Sequence, residues 1–222
     1  MEYVKGSIYT SLAAQLITTI ISLDGFRYKL EDKDKILKDI LLLETVVQVI
    51  EACFYVWAVF ALSNLKTLVS RRYIDWVITT PTMLLSTIMF MGYNTSTRRV
   101  RFWDFIIEHR SSINKIIIYN WLMLLFGYLG EINIIDKKLS VLLGFIFFYM
   151  LFDEINKNYT KDNDTNKKVL IFMVSVWALY GVAALGDDVT SNTAYNALDV
   201  VSKNLYGLFI YYYIRQIGTV PQ

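Results

Sequence analysis

The sequence predicts an all-α membrane protein: a seven-transmembrane-helix bundle with its N-terminus outside and its C-terminus cytoplasmic. Three observations carry that expectation. Of the 222 residues, 55% are hydrophobic and 15% aromatic, while only 19% are charged. Soluble domains carry about 25% charge, so lipid must cover part of this surface. Seven apolar stretches recur with polar breaks between them. Taking alternate connections as facing the same way, 15 Lys and Arg fall on one side and six on the other, which makes the richer side cytoplasmic. Termini on opposite faces require an odd number of spans.

The stretches run Ser7–Leu23, Ile40–Leu65, Tyr73–Met91, Ile113–Ile135, Leu139–Phe152, Val169–Leu185 and Tyr195–Ile217. A spanning helix needs roughly 20 mainly apolar residues. The fifth reaches that length only if Asp153 to Asn156 continue it. The longest polar connection, Asp153–Lys168, reads as a short loop, and no repeat or linker divides residues 1–222, so one domain is expected. Pro81 interrupts the third stretch; a bundle tolerates it where Thr79 or Thr80 satisfies the freed backbone groups. Met1–Gly6 shows no signal-peptide pattern.

Composition also removes chemistry. The net charge of +2 lacks the basic excess of a nucleic-acid binder. Cys53 and His109 are the only residues of their kinds, which leaves no intrachain disulfide, no His/Cys metal cluster and no Ser-His-Asp relay. Neither a metal site nor an enzyme is expected.

What remains is charge inside the spans, where each ionised group costs about 2.5–3.5 kcal/mol on insertion scales and marks function. Glu44, Glu51, Asp75, Asp199 and Lys203 are the cases. Glu44 lies near the start of its span, where snorkelling to the headgroups competes with a pore role. Lys203 is too deep for that. Asp199 and Lys203, four apart, share a helix face. Arg72, Asp75, Thr79 and Ser86 form a stripe on the third span, Glu44, Gln48, Glu51 and Tyr55 on the second, and Ser11, Gln15, Thr18 and Ser22 on the first. Ser and Thr in such stripes can simply join helices at about 0.6 kcal/mol each. A lysine flanked by two aspartates asks for more, and an amine forms a Schiff base with an aldehyde.

Two segments, Arg72-Tyr-Ile-Asp-Trp-Val-Ile-Thr-Thr-Pro81 and Leu198-Asp-Val-Val-Ser-Lys203, resemble the third-helix signature and the chromophore-attachment segment of microbial (type I) rhodopsins, most like viral rhodopsins with a DTS motif. The resemblance implies all-trans retinal in Schiff-base linkage to Lys203, with Asp75 and Asp199 as counter-ions and Arg72 holding water beneath them. It implies that Trp76, Trp177 and Tyr180 sandwich the polyene, and that Thr80, Asn120, Met123 and Gly127 line the pocket.

The resemblance implies light-driven ion transport and leaves its mode open. Asp75, Thr79 and Ser86 form the DTS pattern, and the family's proton pumps usually carry a carboxylate where Ser86 stands. At the outer end Asp187 and Asp188 are candidates for proton release, with Ser191 in place of the family's acid. Glu44 and Glu51, with Ser11, Gln48 and Tyr55, are the expected ion pathway, since carboxylates lining water select cations. A light-gated cation channel is the leading expectation, an outward proton pump the alternative, and a sensory photoreceptor signalling through a partner the third. The implied partners are the lipid bilayer and transported protons or monovalent cations, with a homo-oligomer allowed. The implied location is a membrane, the host's if the source is viral.

Overall fold

The computed structural model describes residues 2–62 and 65–220, the side chain of Lys66 excepted. Among these residues the long helices are α1 (Glu2–Asp24), α2 (Ile36–Phe60), α3 (Leu65–Thr95), α4 (Arg110–Glu131), α5 (Lys137–Ile155), α6 (Asp164–Ala183) and α7. α7 runs Asp188–Asp199, turns through Val200–Asn204 and continues as Leu205–Ile217. Helices α1 to α6 are each long and apolar enough to cross a membrane. α7 completes a seven-helix bundle as one rod with a π-turn inside it, where Leu205 N–H donates to Val200 O. The chain is an integral, multi-pass membrane protein.

The packing is inverted relative to a soluble protein. On α1 the inward residues are Val4, Ile8, Ser11, Gln15, Thr18 and Ser22. Gln15 is 0% exposed and Ile20 is 68% exposed. Spacing of three and four puts the polar residues on one face, and lipid accepts the apolar face that water would not. α2 repeats the pattern, burying Glu44, Gln48, Glu51 and Tyr55 and exposing Leu42, Val46 and Val49. Lys29 N–H donates to Thr219 O at 2.8 Å, so the C-terminal tail lies beside the loop that joins α1 to α2.

Four departures from the sequence expectation stand out. The second span starts at Ile36 and ends at Phe60, while residues 63–64 of the expected Ile40–Leu65 lie outside the described residues. The Asp153–Lys168 connection is mostly helical: α5 reaches Ile155 and turns on through Asn156–Thr160, and α6 starts at Asp164. Asn163 makes this short link possible, because its side chain accepts the Asn166 N–H at 3.0 Å and caps α6. The last span begins at Asp188 rather than Tyr195, capped by Asp187, whose carboxylate accepts the Thr190 N–H at 2.7 Å.

The fourth concerns Pro81. Its missing N–H frees the carbonyl of Val77, and Trp121 of α4 donates its indole N–H there at 3.1 Å. Thr79 and Thr80 bond the Asp75 and Trp76 carbonyls instead, at 3.1 and 2.6 Å. Each threonine hydroxyl is taken up by the carbonyl four residues back, which leaves Val77 to Trp121.

Candidate functional site

Lys203 lies in the π-turn of α7, 2% exposed, at the meeting point of α2, α3 and α7. Its Nζ is 2.8 Å from Asp199 Oδ1 and 3.8 Å from Asp75 Oδ2. It also forms an ion pair with Glu51. The two aspartates are those read from the sequence. Glu51, expected along an ion pathway, is also the third carboxylate at the amine.

The two aspartates are held differently. Asp199 Oδ2 accepts from Arg72 Nη1 at 2.9 Å and from the Tyr55 hydroxyl at 2.7 Å. Asp199 Oδ1 accepts from Lys203 and from the Tyr180 hydroxyl at 2.9 Å. Arg72 also donates to Asn196 Oδ1 and lies over the rings of Phe54, Tyr55 and Tyr195. Both oxygens of Asp199 are therefore saturated, which a buried ion pair needs before it offsets its desolvation. Asp75 Oδ1 has no hydrogen-bond partner, and Asp75 is buried as well.

An apolar cavity is closed at one point by Lys203. Trp76 and Met83 of α3, Met123 and Gly127 of α4, and Trp177 and Tyr180 of α6 form much of it. Phe145 and Phe148 of α5 also line it and were not anticipated, because nothing in an unbroken apolar run marks which residues face inward. Trp76 stands edge-on to Tyr180 and Tyr195, with ring centroids 5.4 and 5.2 Å away. Gly127 matters for closeness: a Cβ there would sit 2.8 Å from the Tyr73 hydroxyl oxygen. Thr80 lines the cavity, and Asn120 behind it donates to Thr80 Oγ1 at 2.8 Å. Flat apolar walls closing on a single amine fit a long conjugated aldehyde.

Beyond the lysine a column of buried polar side chains follows the seam of α1, α2, α3 and α7. Asn196 donates to Ser7 Oγ at 2.8 Å, and Ser11 donates to the Asn196 carbonyl at 2.9 Å. Past Lys203, Asn204 donates to Gln15 Oε1 at 2.9 Å, and Ser22 donates to Gln48 Oε1 at 3.2 Å. Ser86 is hydrogen-bonded to Glu44 Oε1. Glu44 is 0% exposed, which corrects the snorkelling alternative: its α2 face turns to α3, away from any headgroup. Asn196 and Asn204 were missed in the sequence, since an asparagine in an apolar helix carries no signal until its partners are known.

Tyr55, expected along the ion pathway, is bound to Asp199 and Arg72. Thr79 donates to the Asp75 carbonyl of its own helix at 3.1 Å. Between α6 and α7, the Thr190 backbone N–H holds the Asp187 carboxyl below the usual carboxylate range, and Ser191 donates to the Ala183 carbonyl at 2.8 Å. Both contacts hold the start of α7.

Comparison with known proteins agrees with this architecture. The family model described as bacteriorhodopsin-like protein matches residues 7–217. The green-light absorbing proteorhodopsin of Gamma-proteobacterium EBAC31A08 is 24% identical over 157 residues, 63% of this chain and 59% of that protein. The chain thus spans about 59% of the length of that curated relative. The crystal structure of viral rhodopsin OLPVRII superposes with a TM-score of 0.86 at 32% identity, over 97% of this chain and 99% of the other. Halorhodopsin from Halobacterium salinarum shares the fold, with a TM-score of 0.73 at 13% identity over 98% of this chain and 97% of its own. With a match covering almost every helix and a lysine closing an aromatic cavity, this chain belongs to the bacteriorhodopsin-like family of microbial rhodopsins, whose members bind retinal through a lysine Schiff base.

Proposed function

We propose that this chain carries all-trans retinal on Lys203 and is a light-gated cation channel, conducting along the seam of α1, α2, α3 and α7, with the Arg27–Lys38 loop and the C-terminus on the cytoplasmic side. One observation carries the reading: the polar column runs through the bundle, and along it Gln15 Nε2, Gln48 Nε2, Glu51 Oε2 and Asn204 Oδ1 are buried with no protein partner. Buried polar atoms are normally satisfied, so these are places where water or a passing cation bonds. Stripes serving only to join helices would have paired them.

When bound, retinal supplies light absorption and a change of shape at the Lys203 nitrogen. The rest is done by side chains. With its proton on, Lys203 puts a positive charge across the column and occupies Glu51. At about 4 Å and an effective dielectric of about 20, that charge opposes a cation by roughly 4 kcal/mol. Asp199 is saturated and stays the fixed counter-charge to Arg72. Asp75 has an unpartnered oxygen and is the carboxylate able to take the proton from Nζ. Once it does, Lys203 and Asp75 are both neutral, and Glu51 is free to bind a cation.

Voltage clamp under illumination tests this. The expected current reverses sign at a potential set by the cation gradients, and Glu51→Gln reduces it or changes its selectivity. A current that stays outward at every accessible potential makes the chain an outward proton pump instead. The acceptor within 4.0 Å of the lysine supports that second reading equally.

A further inference from the structure

A second cavity lies away from the lysine, at the end of the bundle where α3 passes into α4 and α5 into α6, and its walls are charged. Arg98, Arg99, Arg101 and Lys161 line it with two acids, Asp104 and Glu108. Arg98 pairs with Glu108 at 3.3 Å, and Arg99 with Asp32 of the loop joining α1 to α2 at 3.0 Å. The cavity is therefore at the same end as Arg27–Lys38. Arg101 and Lys161 form no ion pair among the described residues, and Asp104 is the single lining acid left to oppose them.

The floor under these cations is fixed. Phe105, on the short helix Phe102–Glu108, is buried against Gly92 of α3, where a Cβ would fall 2.5 Å from the ring. His109, the chain's one histidine, stands between Phe105 and Tyr159, with ring centroids 4.4 and 5.3 Å away. Asn166, 0% exposed, holds Tyr159 in turn by donating to its carbonyl and to that of Met91, each at 2.9 Å. Burial keeps the His109 imidazole below its usual pKa; Glu108 opposes this and Lys161 adds to it. The site thus carries positive charge that the chain itself leaves unmatched.

Depth and apolar surface say what kind of anion fits. The spanning segments end at Thr95 and resume at Arg110, so the connection between them lies at the level of lipid headgroups. Trp103 and Ile107, one turn apart on the short helix, are 71% and 69% exposed beside the cations. An exposed tryptophan next to a basic cluster is the arrangement of a segment lying in the membrane interface. A free anion from solution would use the cations and leave that apolar pair idle.

We propose that this cavity binds the phosphate headgroup of an anionic phospholipid, with Arg101 and Lys161 on the phosphate and Trp103 and Ile107 against the acyl chains. A guanidinium matches two phosphate oxygens at once, and an ammonium adds a compact charge. The site is independent of the Lys203 reading above.

The test uses the full chain in a neutral detergent, free of any histidine tag and isotopically labelled at histidine, so that His109 gives one imidazole NMR signal. Dihexanoyl phosphatidic acid is expected to move that signal saturably, and dihexanoyl phosphatidylcholine to leave it in place. Arg101→Gln combined with Lys161→Gln is expected to weaken the phosphatidic acid roughly thirtyfold. Both side chains are exposed, so the thermal midpoint of this variant is expected to match that of the wild type. Trp103→Ala is expected to weaken phosphatidic acid and to leave the weaker binding of inorganic phosphate unchanged. A signal that phosphatidic acid does not move, or that phosphatidylcholine moves as far, overturns the site, as does unaltered affinity in the double variant. Inorganic phosphate binding as tightly as phosphatidic acid overturns the lipid assignment in favour of a free anion.

Discussion

The two halves of the polar column, on either side of Lys203, are built on opposite terms. Toward the start of α7, Arg72, Tyr55, Tyr180, Asn196 and Asp199 form a closed network in which each oxygen of Asp199 has two donors. Toward the end of α7, Glu44, Gln48, Gln15 and Asn204 share a few bonds and leave several atoms unpartnered. A saturated network of charges resists change, because moving any member strands another. A half-satisfied seam stores less of that penalty and leaves hydrogen bonds for water. One half therefore anchors the lysine, and the other leaves the polar atoms that the proposed pathway needs.

The largest expected effect removes the point the halves share. Lys203→Ala, supplied with retinal, gives a protein with no visible absorption band, read by spectrophotometry of purified membranes; a surviving band places the attachment elsewhere. Next comes the anchored half. Arg72→Gln leaves Asp199 buried without its main cation and is expected to destabilise the fold by about 3–5 kcal/mol, measured as a lower thermal midpoint. The open half responds less. Gly207→Ala, whose new methyl meets Gln48, is expected to cost about 1–3 kcal/mol and to slow the recovery of the pigment after a flash. Equal thermal losses in these two variants erase the contrast. Asp75→Asn is the mildest: it removes one of three carboxylates from the lysine, moves the absorption to longer wavelength and leaves the fold intact. An unchanged spectrum assigns the counter-charge to Glu51 and Asp199 alone.

Much of the site was legible because it depends on spacing within one helix. Asp199 and Lys203 are four apart, and Glu44, Gln48, Glu51 and Tyr55 repeat at helical intervals, so their sharing of faces follows from 3.6 residues per turn. That Glu51 also reaches Lys203 was not legible, for the complementary reason. Its level relative to Lys203 depends on how α2 slides against α7, and no periodicity within α2 contains that offset. Pro81 shows the same limit: the break in hydrogen bonding is plain from the sequence, but the donor that repairs it, Trp121, lies 40 residues away on another helix.

The sequence alone determined that this chain lies in a membrane, how its apolar stretches divide it, and which helix faces are polar, because hydropathy and helical period are local properties. Tertiary packing decided which carboxylates reach Lys203, which of them are saturated, and that Glu44 meets Ser86. Those depend on distances between helices far apart in the chain, and the free energy of a buried charge is set by the partners found there.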